Sequence, residues 1–378
     1  MDRRRLLVGL TALAMMQMAC RGTPDSALRI AAAKGRLSAQ ILRDFREALS
    51  SAAPVQVITR PSLVDLFQQL QHWHELAQQP EANTRNQAAN WVALSDYWLL
   101  PAIEQGLIIP LERSAELPWD TLSPAWLTLL RRDEQGFLAN SGAVWGTPYR
   151  WEHLMMVYDR RAFARFGWEP TRWADLLRPD LQQRFSLPDH PRLVLGIMLK
   201  ALNYSVNDPD PAAHKDVVEA VETLRSQVKV YATTAYLQAL VIGDLALSVG
   251  WSSDIQPLLS RYRYLKAVAP LPGTLLSADV WVRPNTLTDR DRAAAFSAIE
   301  QQWLTYWWQP EVEESLSALM QLSPRLLSSA AEDVATELPA AIVMPSAEQL
   351  EQSEFVEPLP SSAITSYDQL WRQLRGRK

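Results

Sequence analysis

The 378-residue chain has little of several residue types that common functional sites require. A single cysteine excludes a disulfide framework and every zinc or iron–sulfur site built from several cysteines. Only 13 glycines leave little room for glycine-rich phosphate loops, and neither a Walker loop nor a dinucleotide-binding fingerprint occurs. A formal net charge of -5 argues against a nucleic-acid partner, which would require a net basic surface. What remains is a globular composition, 48% hydrophobic, in a chain long enough for two domains.

Motifs for catalysis and for metal binding are missing as well. No Gly-x-Ser-x-Gly elbow occurs, and the nearest run, Gly250-Trp251-Ser252-Ser253, lacks the second glycine that lets such a turn close. His72 and His74 form the one close histidine pair, but two residues apart on a predicted helix they point to different sides. We therefore expect no enzyme activity, no metal and no cofactor.

The first 19 residues are typical of an export signal rather than of a folded segment. A basic start precedes an apolar run from Leu6 to Met16, which is too short to span a bilayer. Cys20 follows at the place where a bacterial lipoprotein signal has its lipidated residue. We expect Cys20 to carry lipid, with ordinary cleavage nearby as the alternative. The run Arg3-Arg4-Arg5 leaves general secretory and twin-arginine export both open.

Strand and helix patterns alternate along the rest of the chain, which predicts an α/β fold with a largely parallel sheet. Two of the predicted strands, 144–149 and 154–158, are separated by Arg150-Trp151-Glu152. Polar and aromatic residues follow other strands, as in Ser95-Asp96-Tyr97 and at Trp251. Ligands of open α/β sheets bind beyond the carboxyl ends of strands, so these residues are candidates for a site. Each alone also has an ordinary structural explanation, such as a helix cap or a core side chain.

An acid and an aromatic residue share one face of a later predicted strand. Asp279 and Trp281 lie two positions apart and therefore point to the same side. A carboxylate beside aromatic rings is a combination that holds an organic cation, because the ring face attracts the charge and the carboxylate pairs with it. An ordinary charge at a strand end is the alternative for Asp279.

Four stretches carry further motifs in a fixed order: Leu94-Ser95-Asp96-Tyr97-Trp98, Trp145–Trp151, Trp173–Ser205 and Pro272–Pro284. Together they resemble the bacterial extracellular solute-binding proteins of the spermidine/putrescine type. The resemblance implies an α/β, two-lobed periplasmic binding protein of the type II-like class, whose lobes close on a ligand in the cleft between them.

The same resemblance implies a domain organisation, with crossings between lobes near Thr147-Pro148 and around Leu276. We expect a signal peptide at 1–19, a tether at 20–27, a first lobe at 28–147 with 279–320, and a second lobe at 148–278 with the C-terminal return at 321–378.

Ligand contacts follow from the resemblance by position. Asp279 matches the carboxylate that pairs with a ligand amine, and the other matched contacts are Ser95, Asp96, Tyr97, Trp151 and Trp251. Further candidates are Arg36, His190 and Trp281.

The chain also departs from the pattern of this family. Ala33 and Arg36 stand where aromatic residues enclose a polyamine chain, His190 and Leu193 where polyamine binders have acids, and Ser277 where an aromatic precedes the strand acid. A diamine needs a carboxylate at each end, because a buried unpaired ammonium is strongly unfavourable. A ligand with fewer or closer amines than spermidine fits better, including one with a carboxylate for Arg36.

The function expected from this resemblance is transport. The chain would be a monomeric periplasmic lipoprotein that captures a small organic cation, polyamine-like, and hands it to an ABC permease in the inner membrane. The alternative is a receptor-derived envelope lipoprotein that senses or scaffolds without transport. A permease or ATPase gene beside this one would favour transport.

Overall fold

The computed structural model describes residues 27–49, 54–79, 88–232, 236–286, 296–327 and 342–376. The predicted signal peptide, most of the tether and Cys20 lie outside these ranges. Among the described helices, none has the length and apolar character that a membrane crossing needs.

Strands and helices alternate through most of the described chain. The strands are β1 (Leu28–Ala33), β2 (Val55–Arg60), β3 (Trp91–Ser95), β4 (Ile108–Ile109), β5 (Arg131–Arg132), β6 (Ala143–Val144), β7 (Thr147–Asp159), β8 (Phe185–Leu187), β9 (Val230–Tyr231), β10 (Leu247–Trp251), β11 (Leu265–Val268), β12 (Leu275–Pro284) and β13 (Glu354–Phe355). The helices are α1 (Ala39–Ala48), α2 (Leu63–Ala77), α3 (Leu99–Glu104), α4 (Ala125–Leu130), α5 (Arg160–Phe166), α6 (Pro191–Ala201), α7 (Lys215–Gln227), α8 (Tyr236–Val241), α9 (Ser252–Arg261), α10 (Ala298–Tyr306), α11 (Pro310–Ala318), α12 (Ala347–Glu351) and α13 (Ser361–Leu374).

The first helices show how local sequence determines these elements. Ser38 precedes α1, and its hydroxyl accepts a hydrogen bond from the backbone N–H of Gln40, which satisfies one of the free donors at the helix start. Ile41, Leu42 and Phe45 then form a buried stripe at helical spacing. The helix therefore begins at a capping residue and packs one apolar face on the sheet.

Two long strands, β7 and β12, lie next to each other at the centre of a sheet with the order β2-β1-β3-β12-β7-β10-β8-β9. They run antiparallel, with Leu276 opposite His153 and Trp281 opposite Thr147. Parallel strands pair on the outer side of each: β1 with β2 and β3, and β8 with β9 and β10. The sequence suggested crossings near Thr147-Pro148, which lies on β7, and around Leu276, which lies on β12.

The expectation of two separate strands at 144–149 and 154–158 is wrong. The chain forms one uninterrupted strand, β7, buried along its whole length. Arg150 and Glu152, which suggested a connecting loop, remain in the strand because each has an oppositely charged partner inside the protein.

The apolar core is divided where the two long strands pass through it. Trp151 belongs to a first cluster that contains most of the apolar residues of β1 and β3, whereas Leu154 belongs to a second cluster around α6 and α7. The same change occurs on β12 between Leu276 and Leu275. Met155, on the opposite face of β7 from Leu154, lies in a smaller third cluster. Each half of the molecule therefore has a core of its own.

The C-terminal part of the chain is shared between the two main clusters. The buried face of α13 packs in the second cluster through residues that include Tyr367 and Leu370. Leu322, Leu326 and Leu327 pack instead in the first cluster, although the sequence assigned 321–378 to the second lobe. The segment after residue 320 thus stays with the first half of the molecule for several residues.

Much of the unusual tryptophan content belongs to the first core. The indole of Trp281 is fully buried and stacks on Tyr149 with ring centroids 4.7 Å apart. Trp303 and Trp307 pack against the same indole at 5.0 and 5.9 Å. Trp281, a candidate for ligand contact, is therefore a core residue.

This packing predicts that Trp281→Ala lowers the free energy of unfolding by about 3–5 kcal/mol, because it removes a large buried ring from a dense cluster. Chemical denaturation followed by circular dichroism measures the loss. Trp168→Ala is the matched control, because that indole is only half-buried and donates to Asp180 at the surface. Equal losses in the two variants would contradict the core assignment.

Candidate functional site

A cleft of about 610 Å³, partly open to solvent, lies where residues from the two halves of the molecule meet. Polar and charged groups share its walls with aromatic and aliphatic side chains. Its lining residues are Arg36, Leu63, Ser95, Asp96, Tyr97, Trp98, Glu152, His190, Leu193, Trp251, Ser277 and Val356.

Strand ends position several of these groups. β3 ends at Ser95 and leads into a short 3-10 turn, Asp96–Trp98, and β10 ends at Trp251, where α9 begins. His190 precedes α6, and its ring meets that of Tyr97 edge-on at 5.4 Å. This contact joins residues of the two halves across the cleft, at the carboxyl ends of strands where α/β sheets hold ligands.

Six of the nine residues predicted from the sequence as ligand contacts line this cleft: Arg36, Ser95, Asp96, Tyr97, His190 and Trp251. The structure brings them together from distant parts of the chain. Their roles as ligand contacts stay predictions.

Trp151 occupies a different place from the one expected. Its side chain is 2% exposed and packs in the first core, and its indole N–H donates to the Ser323 carbonyl at 2.8 Å. Its backbone N–H donates to the Leu322 carbonyl. The expected stacking of Trp151 on a ligand does not agree with this position, because strand alternation turns its ring away from the cleft that Glu152 lines.

Asp279 is held between two arginines. Its Oδ2 accepts from Nε of Arg150 at 2.5 Å and from Nη1 of Arg36 at 2.8 Å. Burial alone would raise the pKa of this carboxyl, but the two guanidinium groups outweigh it and lower the pKa. The charge of Asp279 is thus already balanced inside the protein, which argues against the expected pairing with a ligand amine.

Glu152 and Arg150 are important charged groups that the sequence interpretation left out of the site. Oε1 of Glu152 lies 3.6 Å from Nη1 of Arg36, and Oε2 accepts a hydrogen bond from the Ser253 hydroxyl. Burial raises the pKa of the Glu152 carboxyl. Charged residues two positions apart in a strand share a face, and this spacing is the signal that could have identified the pair.

Asp96 is a carboxylate of the cleft, and one of its two oxygens has no hydrogen-bond partner among the described residues. It is 3% exposed, and its Oδ1 accepts from the hydroxyl of Ser277 at 2.8 Å, the backbone N–H of Ala278 at 3.2 Å and the hydroxyl of Ser95 at 3.2 Å. Its Oδ2 is buried without a hydrogen-bond partner among the described residues. Burial raises the pKa of Asp96 to about 6, against the opposing effects of these hydrogen bonds and of the Arg132 charge.

His190 contributes a second unpaired polar atom, because its Nδ1 is buried and no described residue bonds to it. Burial lowers the pKa of this imidazole, which favours the neutral ring. Over the described ranges, no group of three or more histidine, cysteine, aspartate or glutamate side chains is placed to hold a metal ion.

The buried ion pairs predict a stability effect at Asp279. Asp279→Asn should lower the free energy of unfolding by about 3–5 kcal/mol, because it leaves the buried guanidinium of Arg150 without its counter-charge. The double variant Asp279→Asn/Arg150→Gln should recover a large part of the loss, since it removes both charges. Urea denaturation of the two variants and the wild type measures these differences, and a double variant no more stable than Asp279→Asn would contradict the charge argument.

Comparisons with known proteins agree with this architecture. A family model described as "Bacterial extracellular solute-binding protein" matches residues 68–343. The spermidine/putrescine-binding periplasmic protein 1 of Haemophilus influenzae is 22% identical over 289 residues, which cover 76% of this chain and 75% of that protein. The putrescine-binding periplasmic protein PotF of Escherichia coli is 23% identical, with 56% of this chain and 58% of that protein covered.

A solved structure shares the fold over almost the whole chain. The spermidine/putrescine substrate-binding protein PotD of Streptococcus pneumoniae superimposes with a TM-score of 0.73 at 19% identity, covering 93% of this chain and 99% of that one. This similarity confirms the α/β, two-lobed fold predicted from the sequence. With the family model matched over most of its length, the chain belongs to the bacterial extracellular solute-binding proteins.

Proposed function

We propose that the chain is the substrate-binding protein of an ABC transporter, which captures a small organic cation in the cleft and delivers it to a membrane permease. Membership of the family and the polyamine-binding names of its relatives support this function. The single observation that carries the choice of a cation is that Asp96, a carboxylate that lines the cleft, has a buried Oδ2 with no hydrogen-bond partner among the described residues.

A ligand ammonium would satisfy this oxygen. A buried acceptor without a partner is unfavourable by about 1–3 kcal/mol, and more for a charged group, so a hydrogen-bond donor on the ligand would stabilise Asp96. Tyr97, Trp98 and Trp251 line the same cleft, and their ring faces attract a cation. The carboxylate and the aromatic side chains together favour an organic ammonium over an anion.

The arrangement of the cleft suits capture and release. Its lining comes from both halves of the molecule, and the Tyr97–His190 contact crosses between them. A ligand that touches both sides stabilises the closed form relative to the open one, which provides a difference that a permease can recognise.

Asp96→Asn should weaken binding of an amine by about ten- to a hundredfold, the equivalent of a charged hydrogen bond of about 1.5–3 kcal/mol. Isothermal titration calorimetry with a panel of polyamines, amino acids and monoamines measures the effect. Asp244→Asn is the matched control, because Asp244 pairs with Lys229 at the surface, away from the cleft. A wild-type protein that binds only anions or sugars would contradict the proposal.

The raised pKa of Asp96 also predicts a pH dependence of binding. The ammonium pairs only with the ionised carboxylate, so affinity should fall as the pH drops through about 6 and be roughly tenfold weaker at pH 5 than at pH 7. Asp96→Asn should bind weakly with little change over this range. A steep decline in the variant would assign the pH dependence to another group, such as His190.

We also propose that a lipid on Cys20 anchors the protein to a membrane, on the strength of this lone cysteine directly after an apolar signal segment. Cys20→Ser should release the protein from the membrane fraction into the soluble periplasm, as fractionation followed by immunoblotting would show. Unchanged membrane association of the variant would contradict lipidation at this residue.

A further inference from the structure

We infer that the cleft is built for a ligand with one amine and one carboxylate, in which Asp96 receives the amine and Arg36 binds the carboxylate. The inference rests on the proposed function and narrows it, since it selects a zwitterion such as an ω-amino acid over a diamine.

The acids that a second ammonium would need are already engaged. Asp279 is paired with Arg36 and Arg150, and it is not among the residues that line the cleft. Both oxygens of Glu152 have partners: Oε1 forms an ion pair with Arg36, and Oε2 accepts a hydrogen bond from the Ser253 hydroxyl. A diamine would bring a second charge into the cleft with no free carboxylate to receive it, which is strongly unfavourable.

Arg36 has donors left for an anion. Its Nη1 donates to Asp279, and nothing in the described part of the chain accepts from its Nε or Nη2. The side chain lines the cleft and is 26% exposed, so its remaining N–H groups can reach a ligand. A guanidinium presents its N–H groups as a planar fork that matches the two oxygens of a carboxylate. Asp279 holds the guanidinium of Arg36 through Nη1, and the Nε and Nη2 donors remain for the ligand.

Both anchors are hydrogen-bonded to residues of β12. Ser277 bonds to Asp96, and Asp279 bonds to Arg36. Ser277 and Asp279 are two residues apart, so they share a face of the strand with about 7 Å between their backbone positions. This spacing suits a short chain of about four carbons between the charged ends, with the aromatic lining of the cleft beside it.

Calorimetric titration of the wild-type protein with four compounds of equal carbon number tests the inference. We expect 4-aminobutanoate to bind at least tenfold more tightly than putrescine, and n-butylamine and butanoate each to bind more weakly than 4-aminobutanoate. Putrescine binding as tightly as 4-aminobutanoate, or more tightly, would overturn the inference while leaving the proposed function intact. A protein that binds none of the amines, in this panel or in the larger one, would overturn the proposed function itself.

Substitution of Arg36 separates its role in recognition from a general effect on the fold. Arg36→Gln should weaken 4-aminobutanoate by about ten- to a hundredfold and strengthen putrescine, because it frees one side of Asp279 and the Glu152 oxygen for a second ammonium. Arg36→Lys keeps the positive charge but not the planar pair of N–H donors, so its affinities should lie between those of the wild type and those of Arg36→Gln. Arg113→Gln is the matched control, since Arg113 pairs with Glu116 on the surface.

A thermal melt of each variant shows whether it is folded before titration. If folded Arg36→Gln and Arg36→Lys both retain the wild-type order of affinities, Arg36 does not bind the carboxylate and the inference is wrong.

Discussion

The carboxylate of Asp279, buried between Arg150 and Arg36, is the interaction on which the cleft depends. Asp279 and Arg150 are directly opposite each other on β12 and β7, and Arg36 comes from the turn after β1. The cluster therefore joins the two long strands to the turn after β1, beside the point where the core divides. Removing one member would leave a buried charge unpaired, so the three residues act as a unit.

This unit determines which groups remain for a ligand. With Asp279 paired to two arginines, Asp96, one residue beyond the end of β3, is the acid that we propose receives a cation. Ser277 makes this arrangement possible, because its small side chain reaches Asp96 with a hydroxyl where an aromatic ring could not donate in the same way. At the two departures from the polyamine-binding pattern, Arg36 pairs with Asp279 and Ser277 bonds to Asp96, which is consistent with the proposal that a cation is received by Asp96 rather than by Asp279.

The sequence was sufficient for the fold and for much of the cleft, because alternating strand and helix patterns and residues at strand ends are local signals. Ser95, Asp96, Tyr97 and Trp251 could be found in this way. The same reasoning misplaced Trp151, since whether a strand residue faces the core or the cleft depends on which side its neighbours cover. Asp279 was also expected to be free to pair with a ligand. Its ion pairs with Arg150 and Arg36 span 129 and 243 positions of the chain, and contacts over such separations leave no local pattern in the sequence.

A crystal structure of the protein with 4-aminobutanoate bound would show which carboxylate the ligand amine meets. We expect the ligand nitrogen within about 3 Å of Asp96 Oδ2, with Arg36 still bonded to Asp279 and its remaining N–H groups bonded to the ligand carboxylate. A ligand nitrogen bonded to Asp279, with the Arg36 side chain turned out of the cleft, would contradict it.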